Sequence, residues 1–110
     1  MDNVEFLILR NLLYNEEYVR KTIPFIKSDY FDNQNQRIIF EEISSFVQEY
    51  NQPATKEILC IEVEKRSDIN DSQFKEITDL IGSFEEESSE FDWLVSTTEK
   101  WCRDRAIYLA

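Results

Sequence analysis

The side chains of this 110-residue chain with the greatest chemical potential are its carboxylates and its two cysteines. Glu41 and Glu42 stand side by side, Glu49 follows two turns later, and Glu85, Glu86 and Glu87 form an unbroken run. Clustered carboxylates can cage a hard divalent cation, so a carboxylate-only metal site is the one metal centre this set allows. Adjacent residues on a helix diverge by about a hundred degrees, however, so Glu41 and Glu42 are not a preformed pair. The triple-Glu run, with no basic or histidine partner nearby in sequence, reads as a solvated turn. Cys60 and Cys102 lie far apart, with no C-x-x-C spacing and no histidine to complete a zinc site. They read as reduced, mostly buried thiols.

Other catalytic constellations lack their parts. Without histidine there is no neutral-pH imidazole base, no Ser–His pair and no inward Glu-x-x-His for a di-iron bundle. Gly82 is the only glycine, so neither Gly-rich phosphate-binding fingerprint can be written in this chain. The expectation is a domain with no catalytic, cofactor-binding or metal-ligating residues, which is no enzyme by itself.

Composition narrows the class. A net charge of −11, from 23 acidic and 12 basic residues, opposes sequence-independent grip on phosphates. The chain is too apolar for a disordered tail and long enough for a single core. Its one Gly and two Pro suit helices joined by polar loops rather than tight hairpins. No signal peptide is visible, and the apolar run from Phe6 to Leu9 is far too short to span a membrane. A cytoplasmic, all-α protein is expected, with a compact head of five to six helices.

The helix that organises the rest runs from Gln36 to Tyr50. Ile39, Ile43, Phe46 and Tyr50 recur at helical spacing, Phe40 and Val47 widen the face, and Arg37, Glu41 and Glu42 are expected to face water. Before it, Asp2 or Asn3 caps a helix ending near Tyr14. Asn15 caps a short second helix that stops before Pro24. A connector follows, with one helical turn at 28–31, pinned by Phe25, Tyr30 or Phe31. After the break at Pro53, Thr55 caps a fourth helix with Ile58, Leu59, Val63 and Cys60 or Ile61 inward. Asn70, Asp71 or Ser72 caps a fifth, carrying Phe74, Ile77, Leu80, Ile81 and Phe84.

Ser89 and Asp92 resemble a capping box opening the last helix, residues 90–110. Its inward set reads as Phe91, Leu94, Val95, Thr98, Trp101, Cys102 and Tyr108. Acidic residues at its start and basic ones later follow the helix dipole. It reaches Ala110 uncapped and still apolar, which reads as a piece cut from a longer protein, the alternative being a natural terminus docked on the core. Trp93 and Trp101, eight residues apart, lie about 80° apart in projection. Either both are partly buried anchors, or one of them faces a partner.

The pattern Ser28-Asp-Tyr-Phe, Phe40 and Ile43, Val47-Gln-Glu-Tyr, the Pro53 break, Asp92-Trp-Leu-Val, Thr98-Glu-Lys and Arg105-Ala runs through nearly the whole chain. In this it resembles the N-terminal domain of the DnaB-like hexameric helicases, in the branch of T-even-type bacteriophage replicative helicases. Cellular members often carry His-Arg at the start of the central helix, where this chain has Gln36 and Arg37. The resemblance implies that residues 1–88 form the helical head and 89–110 the first helix of a hairpin, truncated before the linker and motor. Six such heads and hairpins would form a collar that recruits primase and other replisome proteins. ATP and Mg would belong to the missing motor, and DNA would be bound only through the full helicase.

Interface residues expected on this reading are Trp93, Trp101, Arg105, Tyr108 and Leu109. Two rivals fit the composition: a stand-alone acidic helical adaptor, and a DNA-mimic phage protein. The acidic residues are interspersed with Lys and Arg, whereas a mimic needs an uninterrupted phosphate-like array.

Overall fold

Five short-range caps divide the chain into its helices. In the computed structural model, which describes residues 3–87 and 89–109, these are α1 (Val4–Tyr14), α2 (Glu16–Thr22), α3 (Gln34–Tyr50), α4 (Lys56–Glu64), α5 (Asp71–Ser83) and α6 (Phe91–Leu109). Two 3-10 turns, Ile23–Phe25 and Ser28–Tyr30, lie between α2 and α3. The Oδ1 atoms of Asn3, Asn15, Asn33 and Asn70 accept the amides of Phe6, Tyr18, Gln36 and Gln73 at 2.8–3.0 Å. Thr55 Oγ1 accepts from Ile58 at 3.2 Å. Each such bond satisfies an orphan amide and stabilises its helix by about 1 kcal/mol. The alternative cap Asp2 and the terminal Ala110 lie outside the described residues. Asn15 both ends α1 and caps α2, so the two helices join without a loop.

The central position of α3 comes from its neighbours: α1, α4, α5 and the Ser28–Tyr30 turn all pack on it. Ile8, Leu9 and Leu12 of α1 meet Ile39 and Ile43 of α3, Leu59 and Val63 of α4, Ile77 and Ile81 of α5, Phe84 and Leu94 in one core, all fully buried. α6 closes the other side against α2, the Ser28–Tyr30 turn and α1. Among the described residues there is no strand.

Several positions differ from expectation. α3 starts two residues early, because Asn33 rather than a later residue caps it. Tyr50 is exposed, although it stands beside α4 and shares a cleft with Ile58 and Ile61. Asn51 then terminates α3 in the left-handed conformation, at φ 55°, which suits asparagine. Ile61 is exposed because it lies two residues from both Leu59 and Val63, about 200° around α4 from each.

The connector is pinned by Ile26, Tyr30 and Phe31, while Phe25 points outward. Phe25 ends the first 3-10 turn and Ile26 is extended, which sends adjacent side chains to opposite sides. Tyr108 is exposed rather than inward, because the last turn of α6 runs past the elements on which the helix packs. Among the described residues no hydrogen bond joins Ser89 to Asp92. The Asp92 amide that Ser89 would cap instead meets Glu90 Oε1 at 3.2 Å, and the helix begins one residue later.

Glu41 and Glu42 are half-buried rather than solvated. Arg66, just past α4, donates Nη1 to Glu42 at 2.6 Å and Nη2 to Glu41 at 3.1 Å, and holds Asp68 with Nε and Nη2. Arg37 is also drawn inward, donating to the Phe31 carbonyl at 2.9 Å. The triple-Glu turn has a basic partner after all: Arg10 of α1 meets Glu87 at 3.0 Å. That pairing joins residues 77 positions apart, which spacing along the chain does not reveal.

Candidate functional site

The expected interface residues all lie on α6, and the structure separates them into three settings. Trp93 stands in the first turn, 53% exposed. Trp101, about 12 Å further along the axis, is half-buried against the Ser28–Tyr30 turn. Its ring meets Phe31 at a centroid distance of 5.0 Å and Tyr30 edge-on at 5.9 Å. Arg105 is folded against the same turn. Its Nε donates to the Tyr30 carbonyl at 2.7 Å, and Nη2 reaches Asp32 at 2.6 Å.

The Arg105 guanidinium also lies over the Tyr108 ring, 4.8 Å from its centroid. A cation over an aromatic face is attracted by the ring quadrupole, so Arg105 joins the packed part of α6 to its open end. There Ile107, Tyr108 and Leu109 are 71%, 74% and 47% exposed. Three consecutive large apolar residues stand at that exposure, which is costly in water. Ile107 belongs to this surface although its spacing did not single it out. It lies between Ala106 and Tyr108 in the last described turn of α6.

Hydrogen bonds hold α6 in register with the head. Thr98 Oγ1 donates to the Leu94 carbonyl at 2.8 Å and lies 2.6 Å from Tyr18 Oη. Thr22 in turn donates to the Tyr18 carbonyl at 2.7 Å. At the other end of the head, Tyr14 Oη donates to the Phe84 carbonyl at 3.1 Å, fixing the exit from α5.

Titratable chemistry is muted. Burial pushes the Cys102 thiol up to about 11, with the nearby Glu99 charge adding to it. Burial raises Cys60 as well. Both thiols are therefore protonated at neutral pH and poor nucleophiles. Tyr18 is raised far above its ordinary value, by desolvation first. A hydrogen bond from Arg66 lowers Asp68, and one to Glu62 raises Lys65. Among the described residues, no three His, Cys, Asp or Glu side chains gather where they could hold a metal ion. Nor is any described helix long and apolar enough to cross a membrane.

The described residues form a compact, all-helical head closed by the long helix α6, on a chain that is acidic throughout. Its family follows from comparison. Residues 2–90 match the DnaB-like helicase N terminal domain, and the chain belongs to that family. The match ends one residue before α6 begins. The chain is also 28% identical over 104 residues to the DnaB-like replicative helicase of Enterobacteria phage T4. That alignment covers 94% of this chain, which takes in most of α6, but only 22% of the relative. The chain thus spans about a fifth of the length of the relative it matches.

Proposed function

We propose that this domain is the collar module of a phage replicative DNA helicase, acting through protein contacts rather than chemistry of its own. The observation that carries the reading is the exposed sequence Ile107, Tyr108 and Leu109 at the end of α6, in a chain of the DnaB-like helicase family. On this reading 1–88 is the head and α6 is the first helix of a hairpin. Its apolar end buries against a neighbouring subunit as six copies close a ring. Trp93 extends the contact from the other end of the helix.

The acidic outer surface then serves as a docking face for primase and other basic replisome partners. DNA is engaged by the full helicase, whose motor would bind ATP and Mg, in the cytoplasm of the infected host. Net charge −11 supports that division, since self-repulsion from phosphates disfavours direct grip by the head.

Light scattering on this chain across a concentration series tests the assembly part. Dimers or trimers that grow with concentration, and that Ile107→Glu with Tyr108→Glu abolishes, are the expected result. A strict monomer at millimolar concentration would remove these residues from the assembly surface.

A further inference from the structure

A groove of about 440 Å³ runs between the C-terminal half of α3 and the outer face of α4. Phe46, Tyr50, Ile58 and Ile61 supply its apolar lining. Phe46 and Tyr50 stack with ring centroids 4.7 Å apart. Tyr50 and Ile61, from different helices, nevertheless stay 54% and 58% exposed across the same cleft. Phe46 and Ile58 pack partly against the core, while Tyr50 and Ile61 are left open beside them.

The polar rim consists mainly of Glu42, Glu49, Glu62 and Lys65. Glu42 is held by Arg66 at 2.6 Å, and Lys65 is spent on Glu62 at 2.7 Å. Glu49 has no ion pair among the described residues and stands exposed one residue before Tyr50. An apolar cleft therefore has at its edge a carboxylate that makes no ion pair, within longer electrostatic reach of Lys65, on a chain that is strongly acidic throughout.

Two physical constraints select the occupant. The described residues offer no strand edge, so an extended peptide's backbone groups would lack partners, whereas a helix satisfies its own. The rim favours basic flanks and repels acidic ones. We propose that this groove docks an amphipathic helix of a partner protein, which inserts one aliphatic side chain between Tyr50 and Ile61 and presents Lys or Arg to Glu49. No lining residue belongs to α6, so the site is separate from the apolar helix end and does not depend on the helicase reading.

The probe is a stapled helical peptide of about 15 residues with one leucine stripe flanked by lysines. A matched peptide carries glutamate in place of each lysine. Amide shifts of the 110-residue chain are followed by NMR. The lysine peptide is expected to move Phe46, Tyr50, Ile58 and Ile61, and the glutamate peptide to leave them still. Ile61→Ser and Glu49→Lys should each weaken binding about tenfold, while Tyr108→Ala leaves it unchanged. Both substitutions fall on exposed positions. If Ile61→Ser lost helical signal, Glu49→Lys would carry the test.

Equal binding of the two peptides would overturn the proposal. So would shifts centred on Ile107 to Leu109, or no shifts at about millimolar peptide. Concentration-dependent shifts at the groove without peptide would assign it to a second copy of the chain and likewise overturn it.

Discussion

Tyr18 Oη on α2 lies 2.6 Å from Thr98 Oγ1 on α6, in the interior between the two helices. The Thr98 hydroxyl proton is directed to the Leu94 carbonyl, so Tyr18 is the donor. Both residues are almost completely buried, where an unmade hydrogen bond costs more than a made one gains. This pair therefore fixes where α6 sits along the head.

Removing the two partners should have unequal effects. Thr98→Val leaves the Tyr18 hydroxyl buried without its acceptor and should destabilise by about 2–3 kcal/mol. Tyr18→Phe removes the group that needs satisfying and should cost about 1 kcal/mol. Urea unfolding of both variants and of the double variant measures this. Equal and additive losses would mean that the hydrogen bond does not couple the helices.

Trp101 and Tyr108 share a helix but differ in burial, and their truncations should part accordingly. Trp101→Ala strips the packing from Tyr30 and Phe31 and should lower stability by about 3 kcal/mol. Tyr108→Ala should change it by less than about 0.5 kcal/mol while weakening self-association. Thermal unfolding paired with light scattering separates the two effects. A Tyr108→Ala chain as unstable as Trp101→Ala would place the tyrosine in the fold rather than at a partner surface.

Alkaline pH should reach the fold through Cys102. Its thiol is raised from 9.0 to about 11 in the folded state, so the unfolded thiol ionises first. The stability from keeping it protonated is present below pH 9 and lost as pH rises from 9.0 to about 11. Subtracting the pH profile of Cys102→Ala should isolate that loss. Iodoacetamide at neutral pH should label the half-buried Cys60 before the buried Cys102. The reverse order would contradict the packing around α6.

The acidic turn offers a direct test of primase docking. Glu87 is tied to Arg10, so reversing it would disturb the head as well as the surface. Glu85→Lys with Glu86→Lys alters only exposed charge. If the proposed docking face includes this turn, primase affinity should fall about tenfold and its salt dependence should flatten. Unchanged affinity would remove the turn from the contact.

Local order was largely readable along the chain. Asn3, Asn15, Thr55 and Asn70 each stand among the residues that spacing nominated as caps, because a cap reaches only three residues ahead. Burial of Leu12, Leu59, Val63, Ile77 and Ile81 followed from period, since they repeat with the helix, whereas the burial of Arg10 and Asn11 did not. The family pattern was legible too, being carried by aromatic and polar positions distributed over the same helices.

What the sequence by itself determined, then, is the helical class, most helix boundaries and the family. Periodicity and capping act over a few residues and need no knowledge of neighbours. Tertiary structure alone decided which apolar residues stay outside. Tyr50 and Tyr108 continue the helical spacing of their buried neighbours yet stay exposed. It also decided that Arg66 gathers Glu41, Glu42 and Asp68, and that Arg105 holds Tyr30 and Asp32. Coverage depends on where helices of different length end against one another, and long-range ion pairs depend on where they cross. Neither quantity is written in the spacing of a single helix.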